Sequence, residues 1–263
     1  MSQQHPSIKI LPYVSLTVFF GLLWLPLGQQ AFLLDHWMKL GVYLAPVMVF
    51  TFVCHHSGAI QWSLSDFRLM SLVMLVFYIA HQFEEHWIDL WGNSYAFHGF
   101  VNHWIASVLD NDAANFEVLT PHAIFMINTS LVWLLGFLAF LTACSYRFPA
   151  LCFNSILLVN ALAHVLTTVT QQVYNPGLLT AVVLFIPISL LIYRNAWKAK
   201  LATPGLIVLS LVWGIMAHII MVAGLIGANG LKWYPEYVYS LILVIWSVIP
   251  VVFYRPAVKQ SLG

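Results

Sequence analysis

The chain carries very little charge. Asp, Glu, Lys and Arg make up 7% of its 263 residues, whereas hydrophobic residues make up 61%, and the mean hydropathy is +0.87. Soluble globular proteins contain roughly 25% charged residues, so this composition excludes an ordinary soluble domain. It predicts an integral membrane protein.

Basic runs and cysteine frameworks are also lacking. The net charge is +1 and no run of Lys or Arg occurs, so the chain has no electrostatic footprint for nucleic acid. Its three cysteines, Cys54, Cys144 and Cys152, form neither a CxxC pair nor a disulfide framework. We therefore expect no nucleic-acid partner, and we interpret the cysteines as small apolar residues.

A cleavable signal peptide is not recognisable at the N-terminus. The first apolar run is preceded by no typical basic region and followed by no small-residue cleavage site, and it is long enough to span a membrane. We expect this run to remain as a helix.

What the sequence has instead is a series of long apolar segments. A membrane span needs about 20 apolar residues, and eight segments approach that length, although Pro46 and Pro187 weaken the second and the sixth. No internal repeat or linker divides them. We therefore predict an all-α, polytopic transmembrane helix bundle, a single domain over residues 1–263 with about eight membrane-spanning helices. The segments are Ile10–Gly28, Met38–Cys54, Phe67–Asp89, Pro121–Ser145, Phe148–Thr170, Leu178–Tyr193, Leu206–Ala228 and Tyr237–Phe253.

The few basic residues are distributed unevenly between the ends of these segments. With both termini cytoplasmic, only Lys39 and Lys232 lie at outer ends, and inner ends of spans carry more Lys and Arg in known membrane proteins. This asymmetry predicts cytoplasmic termini and an external connection, Leu90–Thr120, part of which lies in the interface as an amphipathic or re-entrant segment. The residues at inner ends are Lys9, Arg68, Arg147, Arg194, Lys198, Lys200, Arg255 and Lys259.

The third segment contains the polar sequence His81-Gln82-Phe83-Glu84-Glu85. Ionisable groups at membrane depth are rare and usually functional. Positions i, i+3 and i+4 of a helix share one face, so His81, Glu84 and Glu85 are expected to point together into the bundle. Because no Lys or Arg lies at this depth, protons, histidines or a metal must neutralise the carboxylates.

Other polar residues are predicted at the same depth. At about 1.5 Å per residue, His81, His164 and His218 lie equally far from the inner ends of their helices, and Asn128 falls at a similar height. Asn160 shares a helix face with His164. We expect these groups to form one layer in the outer half of the membrane.

Two further features adjoin this layer. His122, at the outer start of the fourth segment, is a spare ligand candidate. The turn Tyr174-Asn175-Pro176-Gly177 follows the fifth segment, and Pro176 can begin a helix while Gly177 allows close backbone approach. We expect this turn to close over the site, with Tyr174 as a secondary site candidate.

The motifs His81-x-x-Glu84-Glu85, Asn160-x-x-x-His164 and Tyr174-Asn175-Pro176-Gly177 occur in the order typical of a known family. Over about residues 70–195 the chain resembles the HXXEE domain family of integral membrane proteins. The resemblance implies that two extra helices flank this core on each side. It implies a shared site and no particular reaction, because the family's function is uncharacterised.

Imidazole and carboxylate groups are the usual ligands of zinc and non-haem iron. His81, His164 and one glutamate would hold one divalent metal, with the other glutamate as general base on a bound water. With His218 and both glutamates as ligands, the same groups would form a two-metal site. The metal-ligand candidates are thus His81, Glu84, Glu85, His164 and His218, and the catalytic candidates are Glu84, Glu85 and Asn160; Asn128, Tyr174 and His122 are secondary.

These residues predict a membrane-embedded, metal-dependent enzyme that acts on a lipid or other apolar substrate by water activation or acid–base chemistry. Hydrolysis is favoured because no nucleotide or electron-carrier motif is visible. A di-iron oxidase or oxygenase would use the same ligands. A proton- or cation-coupled transporter would use His81, Glu84 and Glu85 as a relay, although no inverted repeat is evident. A metal-free isomerase would transfer protons between Glu85 and His81.

Overall fold

The computed structural model describes residues 30–55, 63, 65–109, 117–143 and 146–252. Within these residues the regular structure is helical, apart from one isolated bridge between Ile88 and Ser94, so the all-α prediction is confirmed. The described helices are α1 Ala31–His55, α2 Phe67–His86, α3 Ala96–Val108, α4 Pro121–Thr142, α5 Phe148–Gln171, α6 Leu178–Lys198, α7 Pro204–Gly230 and α8 Glu236–Val252.

Four of the described helices, α4 to α7, are long and apolar enough to cross a membrane, which suggests a membrane protein. The expectation of about eight spans is not supported. The first predicted span, Ile10–Gly28, lies outside the described residues. Helix α8 has only 17 residues, and the polar residues of the His81–Glu85 stretch make α2 less apolar than α4 to α7.

Capping residues fix where several helices begin. The side chains of Asp66, Thr120 and Thr203 accept hydrogen bonds from backbone N–H groups in the first turns of α2, α4 and α7. These are donors that a helix start leaves unpaired. Pro121 and Pro204 occupy the first turns of α4 and α7, where a missing N–H costs nothing.

Three of the described helices contain a π-helical stretch. These stretches are Asn128–Leu134 in α4, Ala181–Phe185 in α6 and Ile226–Gly230 at the end of α7. Such stretches are rare and frequently adjoin functional sites. The first two begin beside the polar residues of the site.

Helix α5 lies at the centre of the bundle and contacts α2, α4, α6, α7 and α8. The first part of α5 is fully buried, for example at Phe153 and Leu157. Its closest neighbour is α7, where a Cβ at Gly214 would overlap the Ser155 side chain. Small residues at such positions let helices approach closely.

The Leu90–Thr120 connection, predicted to be external to the membrane, contains α3, which packs against α2. Asn102 on α3 accepts hydrogen bonds from the N–H groups of Val118 and Leu119 and donates one to the Leu119 carbonyl, at 2.9, 2.8 and 3.1 Å. This buried amide holds α3 against the segment that leads into α4.

Glu236 links α8 to α4 and α7. Its Oε1 accepts hydrogen bonds from Thr120 Oγ1 at 2.5 Å and Asn229 Nδ2 at 2.9 Å. His122 Nδ1 lies 3.5 Å from Glu236 Oε2, so this histidine, predicted as a spare metal ligand, instead pairs with Glu236.

The Glu236 network predicts a loss of stability in acid. Burial alone would raise the pKa of Glu236, but hydrogen bonds from His122, Thr120 and Asn229 lower it to about 2. An unfolded glutamate has a pKa of about 4.3, so this contribution is present above about pH 4.3 and is lost as pH falls toward about 2. Thermal unfolding in detergent should show wild type more stable than Glu236→Gln at pH 7, by on the order of 1 kcal/mol. This gap should shrink below about pH 4.3 and close at about pH 2. The exposed carboxylate variant Glu117→Gln is the control; an unchanged gap across this range would contradict the assignment.

Candidate metal centre

The candidate centre forms around the carboxylate of Glu85. Glu85 Oε1 lies 3.3 Å from His81 Nε2, one turn earlier on α2, and 3.0 Å from His164 Nε2 on α5. All three side chains are buried, and one ligand atom from each lies within 4.8 Å of the others. Metal–ligand bonds to such groups are about 2.0–2.2 Å long. The cluster of His81, Glu85 and His164 could therefore hold a metal ion.

His86 is a member of the site that sequence reasoning did not select. Its side chain is buried, and its Nε2 lies 3.4 Å from Glu85 Oε2. The ion pairs of Glu85 within the described residues are therefore with histidines only. The signal that could have found His86 is its i, i+4 spacing from Gln82, which is also polar and buried.

A chain of hydrogen bonds connects His86 to α4. Asn128 Nδ2 lies 3.2 Å from His86 Nε2, and Asn128 Oδ1 accepts a hydrogen bond from Gln82 Nε2 at 3.0 Å. Gln82 Oε1 in turn accepts one from Trp133 Nε1 at 3.0 Å. Asn128, a secondary candidate, thus supports His86 and is not itself in the three-residue cluster.

Glu84 faces away from the centre, toward the start of α6. Its carboxylate accepts four hydrogen bonds: from Tyr174 Oη at 2.8 Å, Leu179 N–H at 3.1 Å, Thr180 N–H at 2.8 Å and Thr180 Oγ1 at 2.6 Å. A helix N-terminus with unpaired N–H groups favours such an anion. The predicted roles of metal ligand or free base do not fit this geometry, because the carboxylate is fully occupied in anchoring α6.

Thr180 connects Glu84 to the cluster of His81, Glu85 and His164. Its Oγ1 lies 2.8 Å from His81 Nδ1 and 2.6 Å from Glu84 Oε2. No sequence motif pointed to this threonine, since α2 and α6 are far apart along the chain.

The turn after α5 lies directly against the centre. Gly177 has a φ of +96°, and a Cβ there would lie 2.7 Å from His164 Cε1, 2.8 Å from Glu85 Cγ and 2.8 Å from His81 Cε1. Only glycine fits both the backbone conformation and the space.

Tyr174 holds this turn in place. It donates to Glu84 and accepts from the Leu90 N–H at 3.2 Å. Burial raises the pKa of the Tyr174 hydroxyl, the Leu90 N–H opposes this, and the nearby Glu84 carboxylate raises the pKa further. The hydroxyl therefore stays protonated and remains a donor to Glu84.

The remaining predicted residues lie near the cluster without joining it. Asn160 Nδ2 donates to Tyr78 Oη at 2.6 Å and lies 3.5 Å from His81 Nε2. His218 pairs through Nδ1 with the Gly214 carbonyl of its own helix at 2.9 Å. The structure does not bring His218 into the cluster, so its predicted role as a ligand does not fit.

A cavity of about 220 Å³ adjoins the cluster. It exceeds the cavity of about 150 Å³ that holds benzene in an engineered protein. Its walls are mostly apolar and include Phe97, Phe100 and Trp104. The polar side chains that line it include Glu85, His86, Asn128, Asn160, His164 and Asn175.

The motif and its surroundings match a known family. Residues 72–192 match the family described as a protein of unknown function with HXXEE motif. This match covers slightly less than half of the chain, which is similar to the HXXEE family over these residues. No curated protein and no solved structure matches the chain.

The HXXEE match runs from within α2 to within α6. It includes all three residues of the cluster, together with Glu84, and it also covers the Gly177 turn. His218 and Glu236 lie beyond it. The resemblance seen in the sequence is thereby confirmed, and the cluster lies wholly inside the HXXEE segment.

Proposed function

We propose that the chain is a membrane-embedded, metal-dependent enzyme in which His81, Glu85 and His164 hold one divalent ion. The observation that carries the proposal is the convergence of two imidazole nitrogens on one buried carboxylate oxygen, at 3.3 and 3.0 Å. Two histidines and one carboxylate form the ligand set of catalytic zinc sites and of non-haem iron sites.

The electrostatics of the cluster support a cation at this place. A buried carboxylate is costly unless it is paired, and the ion pairs of Glu85 among the described residues involve only histidines. A divalent ion would neutralise the charge of Glu85 and would bind the lone pairs of the three ligand atoms, which face one another. Three ligands leave coordination positions open for water or substrate, as in catalytic sites.

The geometry favours one ion over two. The carboxylate of the second glutamate, Glu84, already accepts four hydrogen bonds, three from the start of α6 and one from Tyr174. His218 is paired with a backbone carbonyl of its own helix. A two-metal carboxylate site needs more bridging groups than remain. The di-iron alternative therefore has weaker support than a single-ion centre.

The adjoining cavity supports an apolar substrate. The side chains around it are mostly apolar, and the cluster residues Glu85 and His164 line it. Ala163 on its wall is exposed, while Phe100 and Val222 are half-buried, which provides an entry from the side of the bundle. A small apolar molecule or part of a lipid would enter there.

Hydrolysis is the reaction we propose for this centre. The ion would lower the pKa of a bound water and polarise the substrate carbonyl. Because Glu84 is occupied, the polar side chains left beside the water and substrate are those that line the cavity, His86 and Asn160 among them.

For the orientation in the membrane, we propose cytoplasmic termini and a centre in the outer half of the bilayer. The support is the distribution of Lys and Arg. When the eight apolar segments are counted as spans, most of these residues lie at segment ends on the same side of the membrane as the termini.

Elemental analysis tests the metal directly. The protein is purified without chelator and with a tag that contains no histidine, and metals are measured by mass spectrometry. We expect about one divalent ion per chain, as three ligands can hold; zinc would support hydrolysis and iron would support oxidation. Protein that stays metal-free after incubation with zinc and iron(II) would overturn the proposal and favour the transporter or the isomerase.

A further inference from the structure

We propose that Thr180 is a positioning residue that keeps His81 in the tautomer with its proton on Nδ1, so that Nε2 is free to bind the metal. The expected effect of Thr180 on metal affinity rests on the proposed metal centre. The hydrogen-bond geometry that carries it involves Glu84, Thr180 and His81.

The Thr180 hydroxyl has a single proton to donate. Glu84 Oε2 lies 2.6 Å from Thr180 Oγ1 and accepts the Thr180 N–H as well, at 2.8 Å. The other oxygen of Glu84 accepts from Tyr174 and from the Leu179 N–H. A carboxyl group surrounded by donors acts as an ionised acceptor, so the hydroxyl donates its proton to Glu84, the shorter contact. The Gly177 carbonyl, 3.2 Å from the same oxygen, is a second acceptor, and donation to either one directs the proton away from His81.

His81 contacts the same hydroxyl oxygen through Nδ1. With its proton given to Glu84, Thr180 Oγ1 can only accept at its contact with His81 Nδ1, 2.8 Å away. Nδ1 must then carry the imidazole proton. In the neutral ring Nε2 keeps its lone pair, and Nε2 is the atom that faces Glu85 Oε1 at 3.3 Å. Metal-binding histidines commonly have their other ring nitrogen oriented by such a partner.

The two histidines of the cluster differ in this respect. His164 Nδ1 is buried and, among the described residues, has no hydrogen-bond partner. Of the two, His81 therefore has a hydrogen-bond partner at Nδ1, the nitrogen that does not face Glu85, whereas the partner of His164 among these residues is at Nε2 alone. Thr180 itself is held at two points, because its N–H and its hydroxyl bind the same oxygen of Glu84.

Thr180→Val tests the role of the hydroxyl, because valine keeps the branched shape and removes the hydrogen bonds. We expect the affinity for Zn²⁺, measured by competition with a fluorescent chelator, to fall roughly 10- to 100-fold, the usual cost of losing an orienting partner. Thr180→Ser should restore it. Thr170→Val, which removes an exposed hydroxyl bonded to its own helix, is the matched control.

A spectroscopic measurement separates positioning from packing. Imidazole ¹⁵N shifts of the metal-free protein, with the His81 signals identified by their loss in His81→Gln, should show Nδ1 protonated in wild type and Thr180→Ser. In Thr180→Val we expect a mixture of tautomers. A wild-type His81 protonated on Nε2 alone would overturn the inference.

The outcomes distinguish this inference from the proposed function. Wild type that binds no Zn²⁺ but shows the Nδ1–H tautomer would refute the metal centre and leave the positioning role supported. Wild type that binds Zn²⁺, with Thr180→Val binding it equally well, would refute the positioning role alone. Equal losses in Thr180→Val and Thr180→Ser would also refute it, because serine keeps the hydroxyl.

Discussion

The Glu85→Gln variant is expected to purify without the metal and to keep its fold. Glu85 is the anionic member of the cluster and contacts both His81 and His164. Loss of a group that orients a ligand lowers metal affinity by up to roughly 100-fold. Because Glu85 is a ligand itself, its replacement should lower Zn²⁺ affinity by more than that. The amide can donate to a histidine nitrogen, so the buried polar groups stay paired and the protein stays stable. The metal content and the thermal unfolding temperature in detergent measure the two effects.

Two other glutamate variants serve as controls. Glu117→Gln changes an exposed carboxylate paired with His98 and should bind Zn²⁺ as wild type does. Glu84→Gln should keep the ion at a lower affinity, because it disturbs the Thr180 contact and leaves the three ligands in place. If Glu84→Gln lost the ion and Glu85→Gln kept it, the assignment of the two glutamates would be reversed.

The sequence was sufficient to predict that His81 and His164 lie at one level. Depth along a helix follows from counting residues at about 1.5 Å each, and the structure brings these two side chains together around Glu85. His218 has the same depth but lies outside the cluster, since depth is only one coordinate. Its direction depends on the rotation of α7, a helix that is apolar on every side and so carries no periodic signal for rotation.

The two adjacent glutamates show the same limit. Neighbouring residues on a helix point about 100° apart, so only one of Glu84 and Glu85 enters the cluster. The choice depends on the rotation of α2 against α5 and α6. For the same reason His86, which follows Glu85, was missed although it contacts that carboxylate.

Contacts between distant segments were the least predictable part of the site. Thr180 is 96 residues from Glu84 in the chain, and a threonine near a helix start is common. The closing turn could be predicted because Pro176 and Gly177 restrict the backbone in known ways. Its contact with three cluster side chains follows from the packing of α2, α5 and α6 together.

Gly177→Ala is expected to be among the most damaging single-methyl changes in the described part of the chain. A Cβ at this position would lie 2.7–2.8 Å from atoms of His164, Glu85 and His81, so the three ligands must separate or the turn must lift away. Overpacking of this kind costs roughly 1–3 kcal/mol, and the positive φ of +96° adds about 1 kcal/mol more. We expect a lower unfolding temperature and a loss of Zn²⁺ binding on the scale of Glu85→Gln.

Gly92→Ala separates the two contributions to this loss. Gly92 also has a positive φ, +82°, but a Cβ there would meet nothing within 4 Å. It should therefore show the backbone cost alone, with Zn²⁺ binding unchanged, because the added methyl group reaches no other side chain. Equal stability and equal Zn²⁺ affinity in the two alanine variants would mean that the Gly177 turn does not press on the ligands. That result would contradict the conclusion that the Gly177 turn packs too closely against the cluster to admit a methyl group.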